Sequence, residues 1–263
     1  MFRTPLLAVT AAAALAACAP TTAGPSGPAL STVDAANAHP VPTELAGYLK
    51  PEDLNGAALL GPPPAETSLR HKADREYYLE TRALANTPRW AEAIRDNDLW
   101  HGGALKQYSC AIGVEIGPQT PATLRVLERL ELDVRTIGTP AKDAYMRRRP
   151  ALGNDLPICV PREPWLETNS SYPSGHSMTG WSWALVLAEL SPAKADRLLA
   201  IGKKVGDSRA ICGVHYISDI EAGRTLGAAM VARLHAEPEF RAETEAARRE
   251  LARAKASPTG CPG

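Results

Sequence analysis

The chain has 263 residues, of which 44% are hydrophobic and 22% charged, which suits one ordinary globular domain or two small ones and excludes a disordered or fibrous chain. Lys plus Arg (29) balance Asp plus Glu (29), so the formal net charge is zero, nothing points to nucleic acid as a partner, and any anion site has to be local. Aromatics are only 5% and Pro (23) exceeds Gly (20), which favours Ala-rich helices punctuated by prolines and predicts an all-α fold.

Residues 1–18 read as an export signal: Arg3, an apolar run from Leu6 to Ala17, then Cys18. The run is too short to span a bilayer as a retained helix. Leu15-Ala16-Ala17-Cys18 has the form of a bacterial lipobox, in which Cys18 is acylated after cleavage; the small residues Ala16, Ala17 and Ala19 also suit ordinary signal peptidase. Both routes place the protein outside the cytoplasm, in the periplasm or secreted, and the lipid anchor is the one membrane contact expected. Residues 19–46, rich in Ala, Pro, Thr and Ser, predict a flexible tether, followed by a folded domain over 47–256 and a tail over 257–263.

Gly61-Pro62-Pro63-Pro64 is a stiff lead-in, after which helices are predicted over about 67 to 86, 88 to 99, 104 to 115, 120 to 148, 174 to 190, 192 to 215, 218 to 235 and 238 to 256. Leu124, Leu127, Leu130 and Leu132 form a buried stripe, and the charged run from Arg241 to Lys255 reads as a solvated helix face with i,i+4 pairs. Export makes disulfides plausible. With Cys18 set aside, Cys110, Cys159, Cys212 and Cys261 permit three pairings or buried free thiols; Cys159 with Cys212 and Cys110 with Cys261 is preferred. The cysteines and histidines lack the spacing of a zinc site, and no metal or other cofactor is expected.

Three blocks carry chemistry. In the first, Lys142 and Arg149 lie seven residues apart, about two helical turns, so both can project from one face of a helix that Pro150 closes. The alternative is a solvent-facing basic turn, since Arg147 and Arg148 sit beside them. In the second, Tyr172-Pro173-Ser174-Gly175-His176-Ser177 precedes an apolar helix: the amides of Ser174 and Gly175 can face an oxyanion at the helix N-terminus, with His176 at the rim as a proton donor. In the third, Ser208-Arg209 is followed by His215 and, four residues on, Asp219. The carboxylate could meet the imidazole as an i,i+4 pair and raise its basicity, while Arg209 offers a bidentate fork to a phosphate-like anion. His39, His71, His101 and His235 fall outside the blocks and read as tether, surface or helix-end residues, and His101 and Tyr108 could still line the mouth of such a site.

Taken together, Lys142-x6-Arg149-Pro150, Pro173-Ser174-Gly175-His176 and Ser208-Arg209-x5-His215-x3-Asp219 resemble the three-part signature shared by type 2 phosphatidic acid phosphatases, bacterial non-specific acid phosphatases and vanadium haloperoxidases. Over about residues 45 to 255 the chain is most similar to the class A bacterial acid phosphatases, including Leu60-Gly61-Pro62-Pro63-Pro64, Thr87-Pro88-Arg89-Trp90 and Ser208-Arg209-Ala210-Ile211-Cys212-Gly213. It departs at Ser170, where the class A signature has glycine, and at Ser177, which replaces threonine and keeps the hydroxyl. The resemblance implies an all-α catalytic domain of about 47–256 that hydrolyses phosphate monoesters. His215 is then the nucleophile, Asp219 its orienting carboxylate and His176 the acid; Lys142, Arg149, Ser174, Gly175 and Arg209 hold the phosphate, without metal or cofactor. It also implies an acidic optimum, small substrates such as nucleotides, sugar phosphates or aryl phosphates, and a homo-oligomer as in class A relatives. A vanadate-dependent haloperoxidase, a lipid or pyrophosphate phosphatase, and a non-enzymatic phosphate-binding lipoprotein are the competing readings.

Overall fold

The computed structural model describes residues 1, 42, 44–255 and 257–261. The signal, the Cys18 lipobox, His39 and nearly all of the predicted tether lie outside the described residues. Those described beyond residue 31 belong to a unit spanning Thr32–Gly263.

Among the described residues the regular structure is helical, as composition predicts: α1 (Gly56–Leu60), α2 (Leu69–Thr81), α3 (Pro88–Asn97), α4 (Ala104–Ile112), α5 (Pro121–Tyr145), α6 (Trp165–Thr168), α7 (Gly175–Leu190), α8 (Ala195–Ile211), α9 (Ile217–Leu234) and α10 (Pro238–Arg253). The eight predicted helices are present; α1 and α6, one turn or so each, carry too little periodicity to be seen in sequence. Local chemistry fixes the starts. Ser68 accepts from the His71 amide, Thr87 from the Trp90 amide with Pro88 in the first turn, and Ser174 from the Ser177 amide.

The largest difference from expectation is the end of α5. The helix stops at Tyr145 because Met146 adopts a left-handed conformation (φ 41), so Arg147, Arg148 and Arg149 lie beyond it. Lys142 and Arg149 therefore do not share one helical face.

Helix α7 is the centre of the core, packed against α8 and α9 on one side and α5 on another. Trp183, Leu127, Leu130, Leu187, Leu198 and Leu226 are fully buried, and the Trp183 indole donates to the Leu127 carbonyl at 3.0 Å. A Cβ on Gly202 would lie 2.5 Å from that of Ala184, so only glycine lets α8 approach α7 this closely. In α5 the buried stripe runs through Val126, Leu127, Leu130, Val134 and Ile137, while Leu124 and Leu132 sit half-buried on its flanks.

The charged face of α10 is less solvated than its sequence suggests. Arg249 and Glu245 form the expected i,i+4 pair at 3.1 Å. Glu239 and Glu243 hold the buried Arg129 of α5, and Glu250 accepts from the Ala122 and Thr123 amides, capping α5 where Thr120 does not. Two disulfides are present with the preferred pairing, Cys110–Cys261 (Cα–Cα 5.6 Å) and Cys159–Cys212 (4.7 Å). The second ties the segment between α5 and α7 to the α8–α9 turn, where the three sequence blocks meet.

Asp133 of α5 is fully buried and accepts from the Leu49 amide at 2.8 Å, while its other carboxylate oxygen has no hydrogen-bond partner among the described residues. Burial pushes its carboxyl up to about 6. A carboxyl raised on folding stabilises the protein below its unfolded value and loses that contribution as pH rises through the folded one, here from about 4 to 6, at a cost of about 3 kcal/mol. Asp133→Asn is therefore expected to raise Tm by several degrees at pH 7.5 and leave it nearly unchanged at pH 4; equal shifts at the two pH values in thermal scans would refute this.

Candidate active site

His215 follows Val214 in the turn between α8 and α9 and is 3% exposed. Its Nδ1 lies 2.8 Å from the Ser171 carbonyl oxygen, and Arg149 Nη1 lies 3.0 Å from its Nε2. An arginine can only donate, so Nε2 holds a lone pair and Nδ1 donates to Ser171. This is the tautomer that an Nε2 nucleophile needs. Burial, then Arg149, Lys142 and Arg209, hold the imidazole well below the ordinary histidine range.

The expected His215–Asp219 pair forms only loosely, with Nδ1 3.6 Å from Oδ2. The carboxylate is engaged elsewhere: Oδ2 accepts from the Ser171 hydroxyl (2.6 Å) and the Tyr216 amide (2.8 Å), and Oδ1 from Arg147 Nη1 (2.5 Å). The Ser171 carbonyl takes the Nδ1 proton in its place, because an Asp at the third position of α9 turns back to cap that helix.

Arg149 is 4% exposed and fixed by the Asn169 and Val214 carbonyl oxygens (3.0 and 2.9 Å) and the Asn169 amide oxygen (3.1 Å). Lys142 Nζ donates to the Ser170 carbonyl at 2.6 Å. Burial and the neighbouring Arg149 lower the Lys142 ammonium to about 7, and burial and Arg209 lower Arg149 to about 9. Arg209 lies in the last turn of α8, is 2% exposed and donates to the Asn97 side-chain oxygen. That turn is held by the buried Arg82, which donates to the Ala210 and Ile211 carbonyls, a cation at a helix C-terminus. Three cations thus face one imidazole, with the nearest carboxylate already paired.

His176 lies in the first turn of α7, and its Nε2 is 2.9 Å from the Asn97 carbonyl oxygen, which leaves Nδ1 for proton exchange. Burial, then Arg209, with His215 and Arg149 behind, lowers it well below the ordinary range. It is half-buried rather than at an open rim. The cradle is also narrower than expected. The Ser174 amide donates to the Asp219 carbonyl at 3.0 Å and the Ser174 hydroxyl caps α7, so Gly175, with open space where its Cβ would point, is the backbone position left for an anion. A Cβ on Gly223 of α9 would lie 2.5 Å from the Ser174 oxygen, so glycine is needed to bring α9 against this turn.

Of the two residues that could line the mouth, Tyr108 lies in the core and His101 at the surface, the other place expected for it. Tyr108 is fully buried and donates to the Gly180 carbonyl at 2.7 Å, because its ring fills the core beside Trp183; His101 is exposed, 3.5 Å from Asp98. Ser170 does not need the conformational freedom of the glycine it replaces: it is not at positive φ, and its hydroxyl accepts from the Arg147 amide at 2.9 Å. Asn97, Asn169, Ser171, Arg147 and Asp74 escaped the sequence reading. Their roles depend on carbonyls and side chains that only folding brings together; the run of three arginines before Pro150 was the one visible signal, and of these Arg148 is exposed while Arg147 is buried.

Residues 134–241 match the PAP2 superfamily. The chain is 39% identical over 201 residues to an acid phosphatase of Zymomonas mobilis, covering 75% of this chain and 76% of that one. It is 38% identical over 212 residues to a non-specific acid phosphatase of Providencia stuartii (79% and 86%) and 37% identical over 207 to one of Salmonella typhimurium (76% and 81%). A crystallised transmembrane PAP2-type phosphatidylglycerolphosphate phosphatase of Bacillus subtilis aligns at a TM-score of 0.36 and 20% identity, over 65% of this chain and 97% of that one. Among the described residues no helix is long and apolar enough to cross a membrane. By these relationships the chain belongs to the acid phosphatases of the PAP2 superfamily and is a phosphoric monoester hydrolase.

Proposed function

We propose that the chain hydrolyses small phosphate monoesters of broad class, such as nucleotides, sugar phosphates or aryl phosphates, through a phosphohistidine on His215. The observation that carries this reading is the unprotonated Nε2 of His215, fixed as a lone-pair donor by the Nδ1 contact to Ser171 and surrounded by Lys142, Arg149 and Arg209. Nε2 attacks phosphorus as the ester P–O bond breaks, and His176 Nδ1 gives its proton to the leaving oxygen. Water then attacks the phosphohistidine, His176 takes a proton from it, the P–N bond breaks and phosphate leaves. Arg149, which donates to Nε2 in the resting state, transfers that donation to a phosphoryl oxygen as phosphorus takes its place. Phosphoryl transfer spreads negative charge over the equatorial oxygens, and preset donors stabilise it without reorganising; each is worth roughly 3 to 4 kcal/mol in comparable sites. Lys142, Arg149, Arg209 and Gly175 supply that charge and those donors, with the Ser174 hydroxyl closing the cradle.

Turnover of p-nitrophenyl phosphate at about pH 5 to 6 in the presence of chelator, blocked by vanadate, is the test; inactivation by chelator that added divalent metal reverses would overturn the metal-independent mechanism. An acidic optimum follows, since His176 must carry a proton that its surroundings oppose. The Lys142 value adds a second signature. In the free enzyme its charge is present below about 7 and lost above, so KM is expected to rise through neutrality, and Lys142→Arg is expected to remove that rise. A KM flat from pH 5 to 8.5 in the wild type would contradict it.

We also propose export, with lipid attachment at Cys18, from the Leu15-Ala16-Ala17-Cys18 motif. The two disulfides fit an oxidising compartment.

A further inference from the structure

Arg147 lies two residues before Arg149 and outside the phosphate cradle, yet it is buried. Its Nη1 donates to Asp219 Oδ1 (2.5 Å) and the Ser218 hydroxyl (2.7 Å), and its Nη2 donates to Asp74 Oδ2 (3.0 Å) and lies 3.2 Å from His71 Nδ1. The guanidinium stacks 4.4 Å from the centre of the Tyr216 ring. Asp74, on α2, accepts from the Ser218 amide (3.0 Å) and hydroxyl, capping the first turn of α9 from another helix. The side chains of Arg147, Asp74 and Asp219 are 7%, 1% and 0% exposed.

We propose that Arg147 and Asp74 are positioning residues for phosphoryl transfer: the buried chain of charges from Asp74 through Arg147 to Asp219 holds the Asp219 carboxylate on Ser171 and Tyr216 and thereby sets the basicity of His215. This rests on the reading of His215 as nucleophile. Buried charges persist only when paired and hydrogen-bonded, and here the guanidinium bridges both carboxylates while hydroxyls and amides fill their remaining acceptor positions. Such a bridge costs desolvation that a purely structural contact between α2 and α9 would not require.

The other groups around Asp219 are fixed. His71 and Asp74 of α2 face Arg147 rather than Asp219 itself; Lys142 faces Asp219 from α5, Arg147 and Arg149 from the segment beyond, Tyr172 from the turn before α7, and His215 and Tyr216 from its own turn, with Arg75 on the Tyr216 hydroxyl and Arg209 of α8 reaching His215. Burial raises the Asp219 carboxyl, and Arg147 is the largest influence holding it down.

Removing the Arg147 charge moves two proton losses to higher pH. Asp219 ionises only at higher pH, and where it is ionised its uncompensated charge draws a proton onto His215. The acid limb of kcat/KM, which reports loss of a proton from the free enzyme, moves to higher pH. Removing the Asp74 charge leaves Arg147 acting on Asp219 alone, and the limb moves to lower pH. Opposite displacements from two residues of one contact are not what a structural defect produces.

The experiment is kcat and KM for p-nitrophenyl phosphate across about pH 4 to 8 for the full chain and its Arg147→Met, Arg147→Lys, Asp74→Asn and His215→Asn variants, with folding checked by circular dichroism. Expected for Arg147→Met are a kcat loss of about 10- to 100-fold, a KM change under about threefold, and an acid limb higher by about one pH unit. Arg147→Lys, which keeps the charge without the fork, restores the limb to its wild-type position, and Asp74→Asn lowers it. If Arg147→Met does not fold, Arg147→Lys and Asp74→Asn decide the matter between them. An inactive His215→Asn beside an unshifted Asp74→Asn limb overturns this inference alone; an active His215→Asn overturns the nucleophile reading and this inference with it.

Discussion

His215→Asn is expected to reduce kcat/KM for p-nitrophenyl phosphate by at least about 10⁴-fold, with the circular dichroism spectrum and disulfides unchanged. Asparagine is close to imidazole in polarity and can still donate to the Ser171 carbonyl, so that contact survives while the lone pair facing phosphorus, and with it the Arg149 contact, is lost. The substitution separates chemistry from binding. Lys142, Arg149 and Arg209 remain, so vanadate or phosphate should still bind, more weakly without the Nε2 bond. Residual turnover within about a hundredfold of wild type would mean that water attacks phosphorus directly and that His215 serves only as a member of the cradle.

Arg149→Met should cost about a thousandfold in kcat, at the upper end of what one oxyanion donor contributes, because this side chain serves the reaction twice. It donates to His215 Nε2 and is the cation that most depresses the imidazole, and in the proposed mechanism it turns to the phosphoryl oxygens after attack. With it gone, His215 gains basicity and the acid limb of kcat/KM should move to higher pH, so low activity and a displaced limb are expected together. Arg149→Lys keeps the charge and loses the planar fork that reaches Asn169 and Val214 at once; partial recovery, to within about a hundredfold of wild type, is expected. Loss of less than tenfold in Arg149→Met would place the equatorial charge on Lys142 and Arg209 alone.

The main helices were legible because local chemistry sets them. Ser68, Thr87 and Ser174 cap their own helices, Pro88, Pro121 and Pro238 sit in first turns, and α7 is apolar enough to be read as core. What failed was where sequence-local logic competes with long-range contacts. Lys142 and Arg149 looked like one helical face, but Met146 ends the helix and Arg149 arrives by way of the following turn. His215 and Asp219 have the spacing of a direct pair, but the carboxylate is taken by a helix cap and by Arg147.

The sequence by itself determined the helical class, which follows from composition and periodicity; it permitted three cysteine pairings, and it named the candidate phosphate-site residues through their resemblance to a family signature. Only the tertiary structure decided which atoms of those residues are available. The tautomer of His215, the loss of the Ser174 amide to the Asp219 carbonyl, the bridging of His176 and Arg209 by Asn97, and the burial of Arg147 between two carboxylates all depend on backbone carbonyls and side chains more than 40 residues apart in the chain. A hydrogen bond is directional and short, so its partner is set by the packing of α2, α3, α7 and α9 to within about an ångström, a precision that spacing along a sequence does not carry.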